Sequence, residues 1–228
     1  MFLFLRYFWY LATNWNPWIA LHIIRHDIRG EKKYKIATTG FDDLKKLEAS
    51  GVDIDNASIY MPASYDMLEV LIKFAASKNC THLLDLGCGK GRALCVAAHF
   101  GFSNLTGTDI SKKLLNSAEQ NLERTRVTLK EKISYALFHS DAFYFKIPDD
   151  CDSIFLFNPF NEIIMSGVAE NIQVSLERNP RTIFILYQNP LHKELLANIG
   201  FIEIFHQQKL NYLEAIIMTN ADVSAPVK

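Results

Sequence analysis

The sequence predicts an α/β domain: a seven-stranded, mostly parallel sheet that closes on a C-terminal antiparallel hairpin, with an N-terminal helical extension ahead of it. Three observations predict it. From His82 onward, short apolar runs alternate with helical patterns, the rhythm of strands joined by crossover helices. Hydrophobic residues make up 49% of the 228-residue chain against 21% charged, which suits a sheet buried on both faces and excludes a disordered chain. The last two strand candidates are separated only by Gln207, Gln208 and Lys209, too few residues for a crossover, so they must pair as a hairpin.

Met1 to Ala12 are apolar except for Arg6, and Asn14-Trp15-Asn16-Pro17 interrupts the run before it reaches the roughly 20 residues of a spanning helix. No basic region precedes it and no small-residue cleavage site follows, as a signal peptide would require. Asn16 reads as an N-cap before Pro17 and Gly30 as a stop, giving a helix over Pro17 to Arg29 with Trp18, Leu21, Ile24 and Ile28 on one face. Two uses of residues 1–28 stay open: packing on the rest of the chain or a second copy, or peripheral contact with a membrane or an apolar ligand. A short helix over Asp42 to Ser50, stopped by Gly51, and a polar turn to Ser58 complete an extension over 1–59.

The main domain is expected over 60–220, with 221–228 a disordered tail. A helix from about Ser64 to Lys78 turns Leu68, Leu71, Ile72 and Ala75 inward. Strands are expected at His82 to Leu86, Leu105 to Asp109, Ile133 to His139, Ser153 to Phe157, Thr182 to Tyr187, Phe201 to His206 and Leu213 to Met218. Helices fill Arg92 to Phe100, Lys112 to Glu123, Glu162 to Arg178 and Leu191 to Ile199.

Composition narrows the function. With 24 basic and 25 acidic side chains, the net charge of −1 gives no broad positive field for nucleic acid. Cys80, Cys88, Cys95 and Cys151 form no CxxC pair and fall beside or inside apolar elements, which fits reduced thiols in a cytoplasmic protein. His22 and His26 stand one helical turn apart without an evident third ligand, so no metal site is expected.

The chemistry concentrates at strand ends. Leu83-Leu84-Asp85-Leu86-Gly87-Cys88-Gly89-Lys90-Gly91 sets a strand against three glycines and a helix, where the backbone turns sharply and a ligand approaches main-chain atoms closely. The spacing is GxGxG, not the GxGxxG that wraps a pyrophosphate, and Asp85 stands where it could receive an ammonium group. Thr108-Asp109-Ile110 ends the second strand with an acid able to accept two ribose hydroxyls. Asp141 after the third strand can accept an adenine amino group, with Ala142 and Phe143 supplying a backbone amide and an apolar contact. One such aspartate could merely cap a helix; three at consecutive strand ends make that account weaker. Lys90 and Arg92 are expected to help position a carboxylate or to face solvent.

The segment LLDLGCGKGRAL, the strand-end aspartates and Phe157-Asn158-Pro159-Phe160 resemble the class I, Rossmann-like S-adenosylmethionine-dependent methyltransferases from about Tyr60 to Met218. Tyr60-Met61-Pro62-Ala63-Ser64 looks like the entry segment of the seven-strand protein lysine methyltransferases. The resemblance implies S-adenosylmethionine as cofactor and S-adenosylhomocysteine as product, held by Asp85, Gly87, Cys88, Gly89, Asp109, Ile110, Asp141 and Ala142. It places Tyr60 and Asn158 near the methyl group, with Asn158 also touching cofactor. Tyr187, closing the fifth strand, is a further catalytic candidate beside an ordinary strand-end role. The fourth motif is NPF here, not the NPPY of enzymes acting on adenine or glutamine amino groups. The expected activity is therefore N-methylation of a protein side chain such as lysine. A small-molecule or lipid O- or N-methyltransferase and a noncatalytic cofactor-binding protein are the alternatives.

Overall fold

The computed structural model describes residues 2–40, 61–130, 132–157 and 160–221. Two helices, α1 (Phe2–Asn14) and α2 (Pro17–Tyr34), precede α3 (Tyr65–Ser77). Then come β1 (His82–Leu86), α4 (Arg92–His99), β2 (Asn104–Asp109), α5 (Lys112–Leu129) and β3 (Ser134–His139). A 3₁₀ turn (Ala142–Tyr144), β4 (Ser153–Phe157), α6 (Glu162–Arg178), β5 (Phe184–Gln188) and α7 (Lys193–Asn198) lead to β6 (Ile202–Lys209) and β7 (Leu213–Thr219). The seven strands order as β3-β2-β1-β4-β5-β7-β6, parallel except for β7, which runs antiparallel to both β5 and β6.

Alternation along the strands builds two cores. Leu83 of β1, Phe155 of β4 and Leu186 of β5 face α3, α4 and α5; Leu84, Ile154 and Tyr187 face α6 and α7. The inward set of α3, Leu68, Leu71, Ile72 and Ala75, is fully buried as expected. Each of the larger side chains contributes about 1.5–3 kcal/mol on leaving water. The β6–β7 turn carries Leu210 and Asn211 with φ of 54° and 59°, the mirror-image turn that matches strand twist. The strand β6 therefore includes the three polar residues that read as a linker.

The N-terminal extension departs from expectation in two ways. The side chain of Asn16 caps α2 by accepting from the Ile19 amide at 2.9 Å, but the helix continues through Gly30 to Tyr34. Gly30 is not a stop. A Cβ there would lie 2.4 Å from the Tyr65 ring, so the glycine lets α2 cross α3 closely. The buried stripe of α2 is Ile19, Ala20, Ile23, Asp27, Gly30 and Tyr34, whereas Trp18, Leu21 and Ile28 of the anticipated face are exposed. Leu5 and Trp9 of α1 are exposed as well. No helix among the described residues is long and apolar enough to cross a membrane. The anticipated helix over Asp42 to Ser50, the turn to Ser58 and the tail from 222 lie outside the described residues.

Candidate functional site

The site lies where β1, β2, β4 and β5 end. Gly87, Gly89 and Gly91 adopt φ of 77°, 53° and 75°, a conformation that side chains resist. The amides of Gly87 and Cys88 donate to the Thr108 carbonyl at 2.8 and 2.9 Å, tying the loop to β2. Asp85 is 4% exposed and has no hydrogen-bond or cationic partner among the described residues. Burial, and then the neighbouring charge of Asp109, raise its pKa well above the ordinary carboxylate range.

Asp109 accepts from the Gly89 amide through Oδ2 and the Ser111 amide through Oδ1, both at 2.8 Å. Burial raises its pKa while those two amides pull it down. The N-cap of α5 is Ser111 and not Asp109, and each Asp109 carboxylate oxygen keeps a lone pair for a further donor. Asp141 does cap the 3₁₀ turn, its Oδ1 accepting from the Phe143 amide at 2.9 Å, and Ala142 is buried. The carbonyl of Ile110 faces His139 Nε2 at 2.9 Å. An unpartnered buried acid beside a second acid fits a cationic ligand group, and left-handed glycines between them leave the backbone open to close approach. The buried acids and the open glycine loop fit an aminoacyl nucleoside such as S-adenosylmethionine.

Cys88 is buried within the loop, and burial pushes its thiol well above the ordinary value, so it acts as a small filler and not as a nucleophile. Tyr187 corrects an expectation. It is 1% exposed in the core under α6 and α7, its hydroxyl meets the backbone at His192, and burial pushes its pKa up to about 12. It packs against the helices on the other side of the sheet from Asp85 and is not among the residues that line the cleft beside β4 and β5. Tyr60, Asn158 and Pro159 lie outside the described residues.

Arg92 was not foreseen in its actual role. It is 3% exposed and does not face solvent. Its guanidinium donates to Asp27 Oδ1 at 2.7 Å, the Ala63 carbonyl at 2.6 Å and Thr38 Oγ1 at 2.7 Å, and lies 4.0 Å over the Tyr65 ring. Lys90 Nζ donates to the Thr39 carbonyl at 3.3 Å, and Glu31 accepts from the Thr38 and Thr39 amides. The extension is therefore bonded to the helix that follows the glycine loop.

Beside the strand ends, a cleft encloses about 620 Å³, its open mouth included. It is lined by Tyr7, Leu11, Trp15, Ile19 and Ile23 of the extension, by Met61, Pro62 and Ser64, by Phe157, Gln188 and Asn189 at the ends of β4 and β5, and by Tyr212, Leu213 and Glu214. On α2, His22 and His26 approach Asp66, their ligand atoms lying within 4.8 Å of one another. Lys209 already bonds Asp66 Oδ2 at 2.9 Å, and that cation disfavours a metal there.

Residues 83–173 match the family model described as a methyltransferase domain. A ribosomal protein L11 methylase from Lactobacillus delbrueckii subsp. bulgaricus superposes with a TM-score of 0.52 at 17% identity, over 73% of this chain and 82% of that one. A Pyrococcus horikoshii protein does so with a TM-score of 0.53 at 17% identity, over 78% and 99%. An uncharacterized protein of Haemophilus influenzae is 36% identical over 84 residues, 37% of this chain, and the match spans only 30% of that relative. Glycine loop, strand order, terminal hairpin and family match agree: the chain carries the class I, Rossmann-like fold of S-adenosylmethionine-dependent methyltransferases.

Proposed function

We propose that the protein transfers the methyl group of S-adenosylmethionine to a neutral amino nitrogen of a protein side chain, a lysine. The observation that carries this reading is the cleft. Its lining includes the aliphatic Leu11, Ile19, Ile23 and Leu213, and it reaches the ends of β4 and β5 at Phe157 and Gln188, β4 being the strand paired with the one that bears Asp85. A lysine matches such a space, with a four-carbon apolar stem and a reactive nitrogen at its tip. Only the neutral amine has a lone pair to give; the apolar Leu11, Ile19 and Ile23 favour that form, while Glu214, also in the lining, draws the ammonium in.

Bound S-adenosylmethionine supplies an electrophilic methyl on a sulfonium: a nitrogen–carbon bond forms as the sulfur–carbon bond breaks, sulfur keeps the electron pair, and the amine proton passes to water. The chain's part is to align and desolvate, since in-line substitution on a neutral amine needs no dedicated base. Asp85 and Asp109 hold the cofactor ends. Tyr60 and Asn158 are proposed to stand at the acceptor nitrogen; their chain neighbours Met61 and Phe157 both border the cleft, which supports the assignment.

The test is tritium transfer from methyl-labelled S-adenosylmethionine into a cell lysate fractionated into protein, lipid and small molecules. Label in protein, recovered as methyl-lysine after acid hydrolysis, is the expected result. Label confined to lipid or small molecules would replace the lysine reading with the small-acceptor one, which the aliphatic side chains of the lining also favour. Asn158→Ala is expected to keep cofactor affinity while lowering turnover about 100-fold or more, the cost of losing alignment.

A further inference from the structure

Gln188 closes β5 and is 2% exposed, yet its side-chain oxygen Oε1 has no hydrogen-bond partner among the described residues. A buried amide oxygen left without a donor is costly, and native structures seldom keep one without a use. Its surroundings suggest the use. Gln188 borders the cleft and pairs in register with Phe157 of the adjacent strand β4. Alternation puts it on the same sheet face as Asp85: Leu83 and Leu186, two residues before each, lie together in the core under α3 and α4. The extension supplies apolar side chains to the cleft through Leu11, Ile19 and Ile23, while Ser64, Asn189 and Glu214 add polar groups to the lining.

We propose that this cleft is a binding site for a primary alkylamine, in which Gln188 Oε1 accepts a hydrogen bond from the ligand's N–H and α1–α2 hold its alkyl stem. The proposal rests on the methyltransferase reading and deepens it: Gln188 becomes the residue that selects an amine and orients its lone pair. An acceptor oxygen prefers an N–H donor to a carboxylate, whose oxygens it repels. Gln188 forms no bond to the transferred group and moves no proton; it is a positioning residue. The extension, for its part, becomes a wall of the site and not an appendage.

The experiment measures binding of n-hexylamine by saturation-transfer NMR to the full-length protein, free and loaded with S-adenosylhomocysteine, with hexanoate as comparator. Saturable n-hexylamine binding is expected, exceeding that of hexanoate, which the Glu214 carboxylate in the lining also disfavours. Gln188→Leu is expected to weaken n-hexylamine about tenfold while S-adenosylhomocysteine affinity stays within about twofold. Met61→Trp, in the cleft lining, should exclude n-hexylamine by bulk and serves if Gln188→Leu does not fold. Absence of saturable n-hexylamine binding, equal binding of hexanoate, or unchanged binding in both variants would overturn the inference. Failure of S-adenosylhomocysteine itself to bind would instead sink the methyltransferase reading on which it stands.

Discussion

At the scale of single residues, the fold holds a conflict at Asp85. Its carboxyl is buried without a cation, and a second acid, Asp109, raises its pKa further. A folded-state pKa above the unfolded value means that the native state binds the proton more tightly. The favourable contribution is complete below the unfolded pKa and is lost as pH rises through the raised one. Asp85→Asn removes that conflict, so thermal unfolding at neutral pH is expected at an equal or higher temperature, while S-adenosylmethionine affinity falls by tenfold or more. A lower melting temperature with unchanged affinity would reverse the assigned role. For the wild type, affinity should rise with pH through the raised Asp85 pKa, because the ammonium needs the ionised acid. The strand-end positions of Asp85, Asp109 and Asp141 were legible because strand ends can be read from hydrophobic runs. Gln188 was not, because an orphaned acceptor is visible only when its neighbours are known.

Among the elements, the junction of α2 with α4 is the least expected. Arg92 reaches Asp27 across 65 positions of sequence, and no local pattern announces a pair so far apart. Burial pushes the Asp27 carboxyl up even against the guanidinium, which marks how dry the junction is. Asp27→Ala takes the carboxylate away from a buried guanidinium and should cost about 3–5 kcal/mol in urea unfolding. The double variant Asp27→Leu with Arg92→Met should cost less than Asp27→Ala alone, which separates lost charge pairing from lost packing. Gly30 tells a related story. From sequence it reads as a helix stop, but the Tyr65 ring occupies the space of its missing side chain, and that ring is itself fixed between Tyr34 and Arg92. Gly30→Ala is therefore expected to destabilise by about 1–3 kcal/mol, although alanine favours helix, and a stabilised variant would contradict the close-crossing account. The stripe through Trp18, Leu21 and Ile28 misled for a physical reason: α2 has two apolar faces, and periodicity cannot say which one the domain takes.

For the whole molecule, strand number, hairpin and glycine loop were legible because each is written in contiguous residues. The cleft was not: its walls come from α1, α2, the segment after Tyr60, the ends of β4 and β5, and β7, which only folding brings together. The central claim is that this assembly of strand ends takes S-adenosylmethionine and not a dinucleotide. It is tested most directly by calorimetric titration of S-adenosylmethionine and of NAD into the wild type and Asp109→Ala. The account predicts one S-adenosylmethionine per wild-type chain, none measurable in Asp109→Ala, and no heat from NAD in either. Binding of NAD, or S-adenosylmethionine binding that survives Asp109→Ala undiminished, would contradict it.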